Sequence, residues 1–124
     1  MEIGSLVGKT ILAVEGCNVG SESILIRTDA GTMRLYHIQD CCESVRVEDV
    51  NGDSEDLIGG VVSIAEERSN QKEDDWGCRT KWTFYTIRTS KGDMDLRWLG
   101  RDNGYYGVSV WVRWYEPGEE VTDW

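Results

Sequence analysis

The stretch Asp93-Met94-Asp95-Leu96-Arg97-Trp98 alternates strictly, with Met94, Leu96 and Trp98 on one parity and Asp93, Asp95 and Arg97 on the other. Side chains of an extended chain point alternately to opposite faces, so this pattern predicts a strand with one face buried and one solvated. The same period of two recurs on both sides. Downstream, Val108, Val110, Val112 and Trp114 oppose Ser109, Trp111, Arg113 and Tyr115. Upstream, Trp82 and Phe84 oppose Thr83 and Tyr85, Val45 and Val47 oppose Arg46 and Glu48, and Met33, Leu35 and His37 oppose Arg34 and Tyr36. Ile11-Leu12-Ala13-Val14, Ile24-Leu25-Ile26 and Val61-Val62-Ser63-Ile64 are short apolar runs of strand length. Turn signals separate them: Asp29-Ala30-Gly31-Thr32, Asn51-Gly52, Ser90-Lys91-Gly92-Asp93 and Asp102-Asn103-Gly104. The spacing predicts a mainly β domain, a curved antiparallel sheet, sandwich or barrel of about eight strands. At most one short helix is expected, over Asp53–Gly59, where acids open the turn and glycine closes it. Gln71–Gly77 reads as the mobile loop.

The composition agrees. The chain has 124 residues, 40 % of them hydrophobic, with 14 Gly and one Pro. That is one domain's length and a folding composition. Residues 1–115 are assigned to the domain and 116–124 to an acidic tail. No apolar run approaches the roughly 18 residues of a membrane helix. The opening Met1-Glu2-Ile3-Gly4 lacks the basic-then-apolar pattern of a secretory signal, so a cytoplasmic location and no membrane partner are expected.

Charge is distributed unevenly. The net charge is −10, from 23 acids and 13 bases. Residues 40–75 hold twelve of those acids against Arg46, Arg68 and Lys72. Residues 79–115 reverse the balance, with seven bases against Asp93, Asp95 and Asp102. Such asymmetry steers encounter with a charged partner. It argues against direct binding of duplex nucleic acid and for an acidic face that occupies a basic groove on another protein. Glu48, Asp49, Asp53, Glu55 and Asp56 are the candidate partner-binding residues.

Four cysteines, Cys17, Cys41, Cys42 and Cys78, and one histidine, His37, raise the question of a metal. Zinc favours paired ligands at short spacing. Adjacent Cys41 and Cys42 point to opposite faces of a strand and are not such a pair. Free thiols with no bound metal or other cofactor are therefore expected in a reducing compartment. A zinc-supported fold or metalloenzyme using His37 and the cysteines is the competing reading. The nucleophile, phosphate-loop and metalloprotease motifs are not found in the sequence, so binding is favoured over catalysis.

The string Tyr36-His37-Ile38-Gln39-Asp40-Cys41-Cys42-Glu43-Ser44-Val45 resembles a family of uncharacterised small proteins of phages, prophages and bacteria. Further similarity lies in Glu48-Asp49-Val50, Glu55-Asp56-Leu57-Ile58-Gly59, Ala65-Glu66-Glu67, Trp82-Thr83-Phe84-Tyr85 and Asn103-Gly104-Tyr105-Tyr106. It runs from about Leu6 to Val112. The resemblance implies a viral or mobile-element origin and no particular activity.

A second candidate surface is aromatic and basic. With Val108, Val110 and Val112 facing inward, Trp111, Arg113 and Tyr115 face outward, and Tyr85 and Arg97 share that outer parity. Such a face suits a nucleotide, a protein hot spot or a homodimer. His37, Gln39, Asp40 and Glu43 form a polar candidate cluster, and Tyr105 and Tyr106 sit after a tight turn. Two functions follow. The first is an acidic anti-defence inhibitor, a nucleic-acid mimic directed at a host defence or nucleic-acid-handling protein. The second is a sponge for a nucleotide signal, held by His37, Gln39, Asp40, Glu43, Tyr85, Arg97, Tyr105, Tyr106, Trp111 and Arg113.

Overall fold

The computed structural model describes residues 2–37, 43–73, 77–102 and 109–119. Eight strands form two four-stranded antiparallel sheets. They are β1 (Ile11–Glu15), β2 (Ser23–Thr28), β3 (Gly31–Tyr36), β4 (Glu43–Asn51), β5 (Val62–Glu73), β6 (Arg79–Thr89), β7 (Asp93–Asp102) and β8 (Trp111–Tyr115). One sheet runs β1-β2-β3-β8 and the other β4-β7-β6-β5. The sheets pack around one apolar cluster as a sandwich, and among the described residues no closed barrel forms.

The inner parity is the one that alternation dictates. Met94, Leu96 and Trp98 of β7 are buried, as are Ile24 and Ile26 of β2, Met33 and Leu35 of β3, and Val45 and Val47 of β4. Trp98 is fully buried, flanked in the sheet by Val47 on one side and Thr83 on the other. Its indole N–H finds no acceptor among the described residues. Val112 and Trp114 of β8 pack on the same cluster.

Two 3-10 turns close the sandwich where its sheets end. Ser54–Leu57 begins with Asp53, whose side chain accepts from the Glu55 N–H at 3.0 Å, and buries Leu57. This is the predicted short turn, tighter than an α-helix. Ile3–Leu6 was not expected; it buries Ile3 and Leu6 against the start of β5. Gly31 is required where β3 begins. Its φ of 147° suits glycine, and a Cβ there would lie 2.5 Å from both the Trp114 ring and the Tyr115 carbonyl oxygen.

Three expectations need correction. Gln71–Glu73 are not loop but the end of β5, paired with Lys81, Thr80 and Arg79; residues 74–76 lie outside the described residues. Tyr85 does not face outward: it is fully buried on the inner face, opposite Leu96. Tyr115 keeps the outer parity but is only 1 % exposed, beneath the Arg113 guanidinium.

The inner-face assignment is checked by Leu96→Ala. Removing this buried side chain should cost about 2–5 kcal/mol in urea unfolding, whereas Thr80→Ala should stay within about 0.5 kcal/mol. Equal costs would contradict the assignment.

Candidate interaction surfaces

The strand register places the outward side chains of the β4-β7-β6-β5 sheet in rows. At one end Lys72, Thr80, Arg101 and Ser44 lie side by side, followed by Asn70, Trp82, Leu99 and Arg46. The middle row is Arg68, Phe84, Arg97 and Asp49. Beyond it come Glu66, Thr86, Asp95 and Asn51, then Ile64, Arg88 and Asp93. Cations and aromatic rings predominate at one end of this face and carboxylates at the other, where Arg88 is the exception, while Asp49 shares the middle row with the arginines. Trp82, Phe84 and Leu99 are half-buried and lie outside the core cluster.

Partners further define the charges. A bulge between Val47 and Asp49 turns Glu48 toward Arg97, whose Nε lies 2.6 Å from Glu48 Oε1. That contact is an ion pair with off-line geometry, for the Nε–H has no hydrogen-bond acceptor among the described residues. Arg46 pairs with Glu22 at 2.7 Å and Arg88 with Asp93 at 3.2 Å. Thr86 donates to Asp95 at 2.9 Å, fixing that carboxylate. Exposed pairs of this kind contribute about 0–1 kcal/mol each, so they orient charges more than they stabilise the fold. A shallow groove of about 390 Å³ lies over the middle rows, lined by Phe84, Arg68, Arg97, Asp49 and Asp95 among others.

The predicted acidic residues separate into two places. Glu48 and Asp49 sit on the sheet face, Glu48 already engaged by Arg97. Asp53, Glu55 and Asp56 lie at the sandwich end, on the 3-10 turn and its cap, and all three are exposed. Asp56 packs against Gly92, which brings the β6–β7 turn and Asp93 to the same end.

The aromatic-basic set does not assemble as one site. Arg97 is on the outer face of β7, whereas Trp111 and Arg113 are on β8, in the other sheet, and Tyr85 is in the core. Around β8, Tyr36 meets Trp111 edge-on at 5.6 Å, and Arg34 lies 4.2 Å over Tyr36 while donating to Ser23. Arg34 is only 4 % exposed, so this face is mostly covered; Trp111, at 43 %, is its outward ring. Tyr85 has a local role. Its hydroxyl donates to Glu67 Oε1 at 2.7 Å, and burial together with that carboxylate holds the phenol strongly protonated. Glu67 borders a cleft of about 600 Å³ between the β5 and β8 edges, walled by Ile3, Ala65, Val110 and Val112.

His37 is buried, its ring tilted 32° against Trp111 at 4.8 Å between centroids, and its Nδ1–H donates to the Ser109 carbonyl at 2.8 Å. That bond uses one ring nitrogen for packing. Gln39, Asp40, Cys41, Cys42, Tyr105 and Tyr106 lie outside the described residues, as does the Glu43 side chain. Among the described residues no three His, Cys, Asp or Glu groups gather as metal ligands. Cys17 is a free thiol, half-buried, and Cys78 is exposed. Cys17 contacts Met94 Sδ at 3.4 Å, and burial, with the nearby Asp53 charge, raises its pKa from 9.0 to about 11. A thiol so disfavoured as thiolate is a poor nucleophile near neutrality.

The geometry defines a class: an antiparallel β-sandwich with a charge-segregated outer sheet face. Residues 4–112 match the family described as a domain of unknown function, DUF7448, and the chain belongs to that family. No curated protein and no solved structure matches the chain. No helix among the described residues is long and apolar enough to cross a membrane.

Thiol alkylation followed by peptide mass spectrometry checks the Cys17 environment. Exposed Cys78 should react at pH 8, whereas Cys17 should react slowly and accelerate until pH approaches about 11. Below pH 9.0 the thiol is neutral folded or unfolded; between 9.0 and about 11 the unfolded chain ionises first, so stability falls there. Equal reactivity of both thiols at pH 8 would contradict this placement.

Proposed function

We propose that the chain is a non-catalytic binding protein of phage or prophage origin, an acidic inhibitor of a host defence or nucleic-acid-handling protein. It works in the cytoplasm by seating its acidic end in a basic groove that otherwise holds nucleic acid. The observation that carries this reading is the fixed acidic end at Asp53, Glu55 and Asp56. Buried Leu57 anchors the 3-10 turn, the Asp53 cap orders its first residues, and the carboxylates remain exposed. Carboxylates held on a short rigid element present negative charge to a partner without the ordering cost of a flexible tail. The overall charge of −10 adds long-range attraction to a cationic groove and repels free nucleic acid.

The nucleotide-sponge reading has less support. Its Arg97, Trp111 and Arg113 are divided between the two sheets, and Tyr85 is withdrawn into the core. A ligand in the sheet-face groove would meet Asp49 and Asp95 as well as the arginines.

Capture from host lysate, followed by kinetics with the captured protein, tests the proposal. Changing Asp53, Glu55 and Asp56 to Lys should slow association on the order of tenfold or more, and added salt should weaken wild-type binding. A nucleic acid ligand of the target should compete. Unchanged association, or tight binding of a nucleotide that survives these reversals, would displace the inhibitor reading.

A further inference from the structure

The outer face of the β4-β7-β6-β5 sheet is self-complementary in charge, and we propose that it is the contact surface between two copies of this chain. Cations lead at one end of the strands, carboxylates at the other, and apolar side chains lie among them: Ile64, Trp82, Phe84 and Leu99. Ile64 is 38 % exposed, on the same face as Glu66 and Arg68. A small anion suits this surface poorly, because Asp49 and Asp95 share the groove with Arg68 and Arg97. A partner bearing the same pattern in reverse suits it well, and a second copy turned end for end supplies that pattern.

A two-fold axis across the strands, between the Phe84 and Thr86 rows, makes the pairing concrete. It sets each strand over its own copy, running the opposite way, within the roughly 30° rotation usual for stacked sheets. Arg68 then meets Glu66 of the second copy, and Arg97 meets Asp95 of the second copy. Trp82 meets Arg88 of the second copy, a cation–π arrangement. Phe84 packs near the axis. Arg68 makes no ion pair among the described residues; the Arg97 Nε is buried against Glu48, while the Arg97 side chain as a whole remains 40 % exposed toward a second copy. Asp95 is already oriented by Thr86.

The area is sufficient. Strands about 4.8 Å apart and same-face residues about 6.8 Å apart give a projected area of about 500 Å² per copy over four strands and four rows. Two copies bury about 1,000 Å², the lower bound of a specific interface. A contact of that size, rich in charge, is salt-sensitive and reversible.

Analytical ultracentrifugation of the full chain tests the proposal, with circular dichroism to verify that each variant is folded. At micromolar concentration and low salt the wild type should sediment at twice the 14.1 kDa chain mass and dissociate as salt rises. Arg68→Glu with Arg97→Glu, and separately Glu66→Arg with Asp95→Arg, should each weaken self-association on the order of a hundredfold, through like charges brought together. Mixing the two variants should restore the dimer as a heterodimer. A monomeric wild type overturns the proposal, as do reversed variants that remain dimeric or a mixture that stays monomeric. The outcome is independent of the inhibitor reading, since target binding by a monomer would remove only the dimer.

Discussion

The burial of Trp98 sets the parity on which the remaining geometry depends. Trp98 lies on the central strand β7, fully buried and flanked in the sheet by Val47 and Thr83, with Met94 and Leu96 on the same face. A slip of one residue would bring Arg97 and Asp95 into the core and expose the indole, exchanging every inward and outward side chain of β7. That constraint fixes Arg97 and Asp95 on the outer face. Through the pairing of β7 with β4 and β6, it also fixes Phe84, Thr86 and Asp49 beside them.

The charge pattern is a consequence of this packing. Asp93, Asp95 and Arg97 are outward because their neighbours are apolar, and the antiparallel register then sorts cations from carboxylates along the strands. The 3-10 turn at Ser54–Leu57 extends the acidic end beyond the sheet, because Leu57 must enter the core and its flanking acids cannot. The separation of Asp53–Asp56 from Glu48 and Asp49 gives the molecule two distinct surfaces: an acidic end and a dipolar face.

In the sequence β2 read only as an apolar run, Ile24-Leu25-Ile26, whereas the alternation over Asp93–Trp98 of β7, Met33–Tyr36 of β3 and Val45–Glu48 of β4 was legible. The β6 strand was not. Trp82 and Phe84 occupy one parity and Thr83, Tyr85 and Ile87 the other, so hydrophobicity alone cannot orient it. Its direction is set by the pairing of Tyr85 with Leu96 and Ile87 with Met94, and by the Tyr85 hydroxyl reaching Glu67. The long-range pairing of Glu48 with Arg97 was equally hidden, since it depends on a bulge that ordinary strand alternation does not contain. The acidic turn was legible from its cap, its carboxylates and the glycine that ends it. The assignment of Arg97, Trp111 and Arg113 to one face failed because parity within a strand says nothing about which sheet that strand joins, and Tyr85 fell on the inner face because both parities of β6 are apolar.

The proposed inhibitor would meet its target through the acidic end of the sandwich. Hydrogen exchange of the protein, free and in complex with its captured target, tests this directly. The account predicts added protection at the amides of residues 53–58 and at the adjoining β6–β7 turn. Protection confined to β3 and β8, or to the cleft beside Glu67, with residues 53–58 unchanged, would contradict it.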